Sequence, residues 1–180
     1  MEIRDRTMKR ALIITGDLVQ DHEFIYPYYR LQEAGYEVHV AAKDGSQKEI
    51  KGIIGTKIPV NRNFEGMKRC EERDGYDLLV IPGGAKCMEK LRQEKEVLDF
   101  IRDFDKKGKI IASICHGAQL LISARVVKDR TIAGYYSIKD DIKNAGAEYC
   151  DTYLRYNNII SASHYKYMPQ WMKQTIEAFE

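Results

Sequence analysis

A cysteine followed by a histidine and a glycine can do nucleophilic chemistry if the chain reverses sharply at the thiol. Residues 109–122, Lys-Ile-Ile-Ala-Ser-Ile-Cys-His-Gly-Ala-Gln-Leu-Leu-Ile, have that form. The apolar, β-branched run before Cys115 predicts a short buried strand, and a helix opens at His116. Ser113 and Gly117 are small enough to flank a tight strand-to-helix turn, a nucleophile elbow with cysteine in place of serine. A thiol at a helix N-terminus also sees the positive end of the helix dipole, which favours the attacking thiolate. Cys115 is therefore the candidate nucleophile, and the competing reading is a buried structural cysteine. Further back, Leu78-Leu79-Val80-Ile81 runs into Pro82-Gly83-Gly84. Two glycines directly after a strand let backbone N–H groups face a ligand. Gly83 and Gly84, with the His116 N–H, make a candidate oxyanion hole. The Gly-x-Gly-x-x-Gly dinucleotide fingerprint is absent.

The elements that must position these groups alternate along the chain. Ala11-Leu12-Ile13-Ile14-Thr15 reads as a strand buried on both faces. Asp21 then serves as N-cap of a helix running to Gly35, with Pro27 expected to kink it. Glu37–Ala42 is a second strand, in which His39 is read as a packed histidine. Between Asp44 and Val60 a glycine-punctuated hairpin or irregular excursion is expected, and between Met67 and Asp74 a short helix. Glu89 to Lys107 carries one helical apolar stripe. Thr131–Gly134 is a brief strand, Ser137 with Asp140 resembles a capping box, Ile159–Ser163 is the last strand, and a helix surrounds Trp171. Alternating strands and helices imply an α/β fold: a single-domain three-layer sandwich, mainly parallel, with helices on both faces. Ligands of such sheets bind at the carboxyl ends of strands, and Gln20, Gly83, Gly84, Cys115, Tyr135 and His164 all follow a predicted strand end.

Ala-Ser-Ile-Cys-His-Gly resembles the elbow of the ThiJ/PfpI superfamily, within the flavodoxin-like, class I glutamine amidotransferase-like fold. Ile25-Tyr26-Pro27-Tyr28-Tyr29-Arg30-Leu31, Ile81-Pro82-Gly83-Gly84, and Ile138-Lys139-Asp140-Asp141 before Asn144-Ala145-Gly146 resemble its PfpI intracellular-protease branch in order and spacing. The resemblance runs from about Lys9 to the end. It implies a cysteine hydrolase of peptidase or amidase type in which His116 is the base and Glu89, from a neighbouring subunit of a dimer or hexamer, completes the set. Adjacent side chains usually point apart, so Cys115 and His116 pair only across a strained elbow. An ungapped match through Tyr26-Pro27-Tyr28 puts Gln20 where the superfamily has a glutamate facing the thiol. An amide there cannot titrate, which disfavours a glyoxalase or deglycase acting on 2-oxoaldehydes relative to a hydrolase. His164 is a further candidate base or substrate-binding group. A third reading is a non-catalytic stress protein that senses oxidants through Cys115.

Composition narrows the classes. The 180 residues are 44% hydrophobic with a formal charge of +2 from interspersed acids and bases. That suits one domain over residues 9–180 behind a disordered extension over 1–8, and offers no basic stripe for nucleic acid. No apolar run is long enough for a membrane helix and the charged N-terminus is no signal peptide, so a cytoplasmic protein is expected. Cys70, Cys87, Cys115 and Cys150 are too widely spaced for a zinc knuckle or disulfide framework. Neither metal nor cofactor is expected, and the substrate is a small molecule or peptide.

Overall fold

The computed structural model describes residues 8–43, 48–68 and 74–180. The expected N-terminal extension, Cys70 and most of the 67–74 helix therefore lie outside the described residues. A seven-stranded sheet runs β10-β11-β7-β6-β1-β2-β5. Its central strands are β1 (Arg10–Ile14), β2 (Glu37–Ala42), β6 (Leu78–Ile81), β7 (Ile110–Ile114) and β11 (Ile159–Ala162), all parallel. Ala11 to Ile14, Leu78 to Ile81 and Ile111 to Ile114 are fully buried, as strands covered on both faces require. β5 (Arg62–Asn63) ends one edge, and β10 (Tyr153–Tyr156) closes the other as an antiparallel hairpin with β11.

Strand order reverses direction between β1 and β6. Right-handed crossovers then send helices to opposite faces of the sheet. Helix α1 (Asp21–Glu33) packs on β2 and on α6 (Met168–Glu177), while α2 (Ala85–Leu91), α3 (Lys95–Lys106), α4 (Ala118–Ser123) and α5 (Lys139–Asn144) form the other group. Reversal of strand order is also where the carboxyl ends of neighbouring strands leave a crevice. Two small sheets border that crevice: the hairpin of β3 (Glu49–Lys51) and β4 (Lys57–Pro59), and the parallel pair β8 (Thr131–Ala133) and β9 (Glu148–Cys150).

Several local expectations are corrected. Helix α1 is capped by Gln20, whose side-chain oxygen accepts the His22 N–H at 3.1 Å, and Asp21 is already helical. Asp21 is instead fully buried, and its carboxylate accepts the N–H groups of Ile54 and Thr56, each at 2.9 Å. Pro27 lies within an unbroken α1, where it removes the amide that would bond the Glu23 carbonyl. The stripe from Glu89 to Lys107 is two helices. Leu91 and Val97, six residues apart, would face about 120° apart on one continuous helix, and the chain breaks at Arg92–Glu94 so that both are buried. Glu89 is thereby inside α2 rather than at a helix start. Ser137 belongs to a 3₁₀ turn, Tyr136–Ile138, and does not cap α5. Among the described residues no helix is long and apolar enough to cross a membrane.

Candidate active site

β7 ends at Ile114, and a 3₁₀ turn, Cys115–Gly117, leads into α4. Cys115 has φ +58°, the left-handed region that costs a non-glycine residue roughly 1–3 kcal/mol. Gly117 allows this turn to sit against β6: a Cβ there would lie 2.6 Å from the Ile81 carbonyl oxygen. The strain has a chemical result, because it turns two adjacent side chains toward each other. Cys115 Sγ and His116 Nδ1 lie 3.4 Å apart, and His116 Nε2 is 3.2 Å from Ser137 Oγ. His116 is thus oriented within its own chain by a hydroxyl. Burial lowers its pKa, while the Glu89 charge acts the other way. Neutral imidazole is the form that can take a proton.

The group facing the thiol from α1 is Glu23, not Gln20. Glu23 is fully buried one turn into the helix; its Oε2 accepts the Gly83 N–H at 2.7 Å, and its carboxyl hydrogen-bonds the Cys115 sulfur. Its Oε1 is buried and meets no N–H or O–H donor. Burial raises the Glu23 pKa to about 7, against the lowering pull of its hydrogen bonds to Cys115 and Gly83. Burial also pushes the Cys115 thiol well up; the Glu23 charge adds to this, while the N–H groups of His116 and Gly84, both aimed at the sulfur, oppose it. This reverses the expectation of a simple dipole-activated thiolate. Burial and the Glu23 charge therefore keep the thiol protonated at neutrality, while the Glu23 carboxyl, with a pKa of about 7, can take up or release a proton there. Gly83 is corrected as well: its N–H is already engaged by Glu23, so the donors at the sulfur are those of Gly84 and His116. A Cβ on Gly83 would fall 2.2 Å from Glu23 Oε2 and 2.8 Å from Cys115 Cβ, so glycine is what lets the two approach.

These groups floor a cavity of about 270 Å³ lined by Gln20, Glu23, Ile53, Gly84, Ala85, Cys115, His116, Tyr135, His164 and Tyr165. Gln20, Gly84, Tyr135 and His164 thus reach it as strand-end topology suggested. Tyr135 stacks between His116 and His164, with ring centroids 4.9 and 5.9 Å away. His164 Nδ1 accepts the Lys166 N–H at 3.2 Å, and burial and the Lys166 charge lower its pKa. Glu89 is exposed, pairs with Lys86 at 3.5 Å, and does not line the cavity. Among the described residues no cluster of three or more His, Cys, Asp or Glu is arranged to hold a metal.

A buried carboxyl and a strained-elbow thiol under two N–H donors accompany a matching family model. The DJ-1/PfpI family model covers residues 9–178. The chain belongs to the DJ-1/PfpI family. It is 34% identical to "Deglycase PfpI" of Pyrococcus furiosus, over 93% of this chain and 98% of that one. It is 35% identical to "Protein/nucleic acid deglycase 2" of Escherichia coli, over 79% and 80%. A two-domain protein of Anabaena variabilis with dj-1/thij/pfpi-like and ferritin-like domains superposes with TM-score 0.89 and 26% identity, over 95% of this chain and 48% of that one. This DJ-1/PfpI chain thus spans about half of that two-domain protein. Two site residues went unread in the sequence. Glu23 sits three residues, almost one helical turn, beyond Gln20, and the signal that finds it is a carboxylate in the first turn of a buried helix beside a glycine pair. Ser137 was visible only as a helix cap.

Proposed function

We propose that this protein is a Cys115-dependent enzyme acting on 2-oxoaldehydes and the adducts they form with thiols and amines, a deglycase-type activity. The observation that carries the reading is the buried Glu23 carboxyl against the Cys115 sulfur, with the Gly84 and His116 N–H groups beside it. An amide at the thiol would disfavour proton-transfer chemistry relative to a plain hydrolase; the group there is Glu23, whose titratable carboxyl can shuttle protons. Names of relatives support an enzyme and include deglycases.

The chemistry follows from the positions. Cys115 passes its proton to the Glu23 carboxylate as its sulfur adds to the aldehyde carbon, and Glu23 delivers that proton to the developing alkoxide, giving a hemithioacetal. Glu23, again carboxylate, takes the C1 proton and returns it to C2 while the hydroxyl proton passes from the C1 oxygen to the C2 oxygen, converting the hemithioacetal to a thioester of a 2-hydroxy acid. The N–H groups of Gly84 and His116 stabilise the oxyanion of addition and of hydrolysis. Neutral His116, oriented by Ser137, takes a proton from the water that cleaves the thioester. From methylglyoxal and water the product is lactate, with Cys115 regenerated. From an amine adduct the amine is also released.

Lactate formed from methylglyoxal, and amine released from a methylglyoxal-treated peptide, should both be measurable for the natural protein. Glu23→Gln and Cys115→Ser should each lose about 10²–10⁴-fold in rate. Turnover of peptide amides with no lactate would overturn the reading in favour of a peptidase. Loss of the free thiol to sulfinate with neither activity would favour the redox sensor.

A further inference from the structure

Around the nucleophile runs a series of aromatic rings. Tyr135 contacts His116, Tyr136 and His164; His164 contacts Tyr165 at 4.0 Å between centroids; Tyr165 contacts His22 edge-on at 5.8 Å. Tyr165, which lines the cavity, is 43% exposed, so ring surface remains free at the mouth. Ile53, at the turn of the β3–β4 hairpin and 54% exposed, lines the cavity too.

The charge of this lining is as informative as its shape. Among the described residues the cavity has no lysine or arginine, and its one carboxyl, Glu23, lies beneath the sulfur. His164 is held neutral by burial and by Lys166, and its Nδ1 is already occupied by the Lys166 N–H. Nothing here offers a carboxylate or phosphate its usual cationic partner. Flat π faces instead favour offset or edge-on contact with another ring.

Resting on the deglycase-type reading above, we propose that this cavity selects carbonyl substrates whose non-reacting end is a neutral aromatic group, with Tyr165, Tyr135 and His164 setting that specificity. An aryl 2-oxoaldehyde fits: the aldehyde carbon reaches Cys115 and the ring lies against the aromatic mouth. The bond formed and the proton transfers are those of the aliphatic aldehyde, and the product is the aryl 2-hydroxy acid.

The test compares phenylglyoxal, methylglyoxal and the anionic 4-carboxyphenylglyoxal as substrates of the full chain. Alongside, unreactive acetophenone, acetone and methylguanidinium are tested for protecting Cys115 from iodoacetamide. Phenylglyoxal should show a KM about tenfold below that of methylglyoxal and below that of 4-carboxyphenylglyoxal. Acetophenone should protect Cys115 at concentrations where acetone does not. Replacing exposed Tyr165 by Leu keeps apolar bulk but removes the ring, and should lower the phenylglyoxal-to-methylglyoxal ratio of kcat/KM about three- to tenfold. Protection by acetophenone without turnover of any aldehyde would sustain this inference while sinking the deglycase reading. Lactate formation with no aryl preference would do the reverse. Stronger protection by methylguanidinium would overturn it in favour of cation recognition.

Discussion

At the scale of single residues, the protein's reactivity turns on the Glu23 carboxyl buried beside the Cys115 thiol. Both the charge and the hydrogen bond of Glu23 raise the Cys115 pKa. Glu23→Gln removes the charge, so the pH profile of Cys115 alkylation by iodoacetamide should shift toward acid, with a faster reaction at pH 7.5. An unmoved profile would mean that Glu23 does not sense the sulfur. Cys87 is buried and its thiol is engaged by the Gly16 carbonyl at 3.4 Å, whereas Cys115 lines the cavity with His116 Nδ1 3.4 Å from its sulfur to take the proton, so Cys87 should stay unlabelled while Cys115 reacts. Peptide mapping after limiting alkylation checks this. Glu23 also predicts a pH dependence of stability. Its folded-state pKa of about 7 exceeds the ordinary 4.5. The folded chain therefore binds the proton more tightly, and the contribution is complete below pH 4.5 and lost as pH rises through 7, on the order of 3 kcal/mol in all. Glu23→Gln should then melt higher than the natural protein at pH 8, with the gap closing by pH 5.

At the scale of elements, the site depends on three close approaches. α1 brings Glu23 under the β6 glycine pair, the elbow brings Cys115 to the same point, and the β3–β4 hairpin bends over them. Asp21 fastens that hairpin to α1. Burial works to raise its pKa, but the Ile54 and Thr56 N–H groups and the Thr56 hydroxyl outweigh it and hold the carboxylate ionised. Asp21→Ala leaves two amides without partners, at about 1–3 kcal/mol each if they stay buried. Stability should fall by about 2 kcal/mol, and hydrogen exchange should quicken at Ile54 and Thr56 ahead of the sheet; uniform exchange would refute the fastening role. Gly83→Ala should displace Glu23, since the added methyl would overlap its carboxylate. Its alkylation profile should move toward that of Glu23→Gln.

At the scale of the whole molecule, the proposal that Glu89 completes a neighbouring subunit's site concerns assembly. Its side chain is exposed on α2, and its charge already reaches His116 within one chain. A symmetric oligomer presenting α2 to a neighbour would add a second carboxylate near His116 and raise the imidazole pKa. Light scattering at micromolar concentration should show a dimer or larger. A monomer with full activity would leave Ser137 as the only partner orienting His116 and remove Glu89 from the catalytic set.

What the sequence determined by itself was local in origin. Continuous apolar runs marked the strands of the buried sheet, because a strand covered on both faces leaves no room for polar residues. Small residues around Cys115 marked the elbow, because only they permit the reversal. Short edge pieces β5, β9 and β10 were not legible, since their pairing comes from neighbours rather than from pattern. The division of residues 89–107 into two helices was likewise set by the need of Leu91 and Val97 to enter the core from different directions. The identity of the group beneath the thiol was decided only in three dimensions. Gln20 and Glu23 lie on one helical turn; chain order favoured the first, but the rotation of α1 against the glycine pair turned Gln20 to cap the helix and Glu23 into the dry space beside Cys115. Burial then raised its pKa to about 7, and burial is a property of the packed molecule that no residue carries alone.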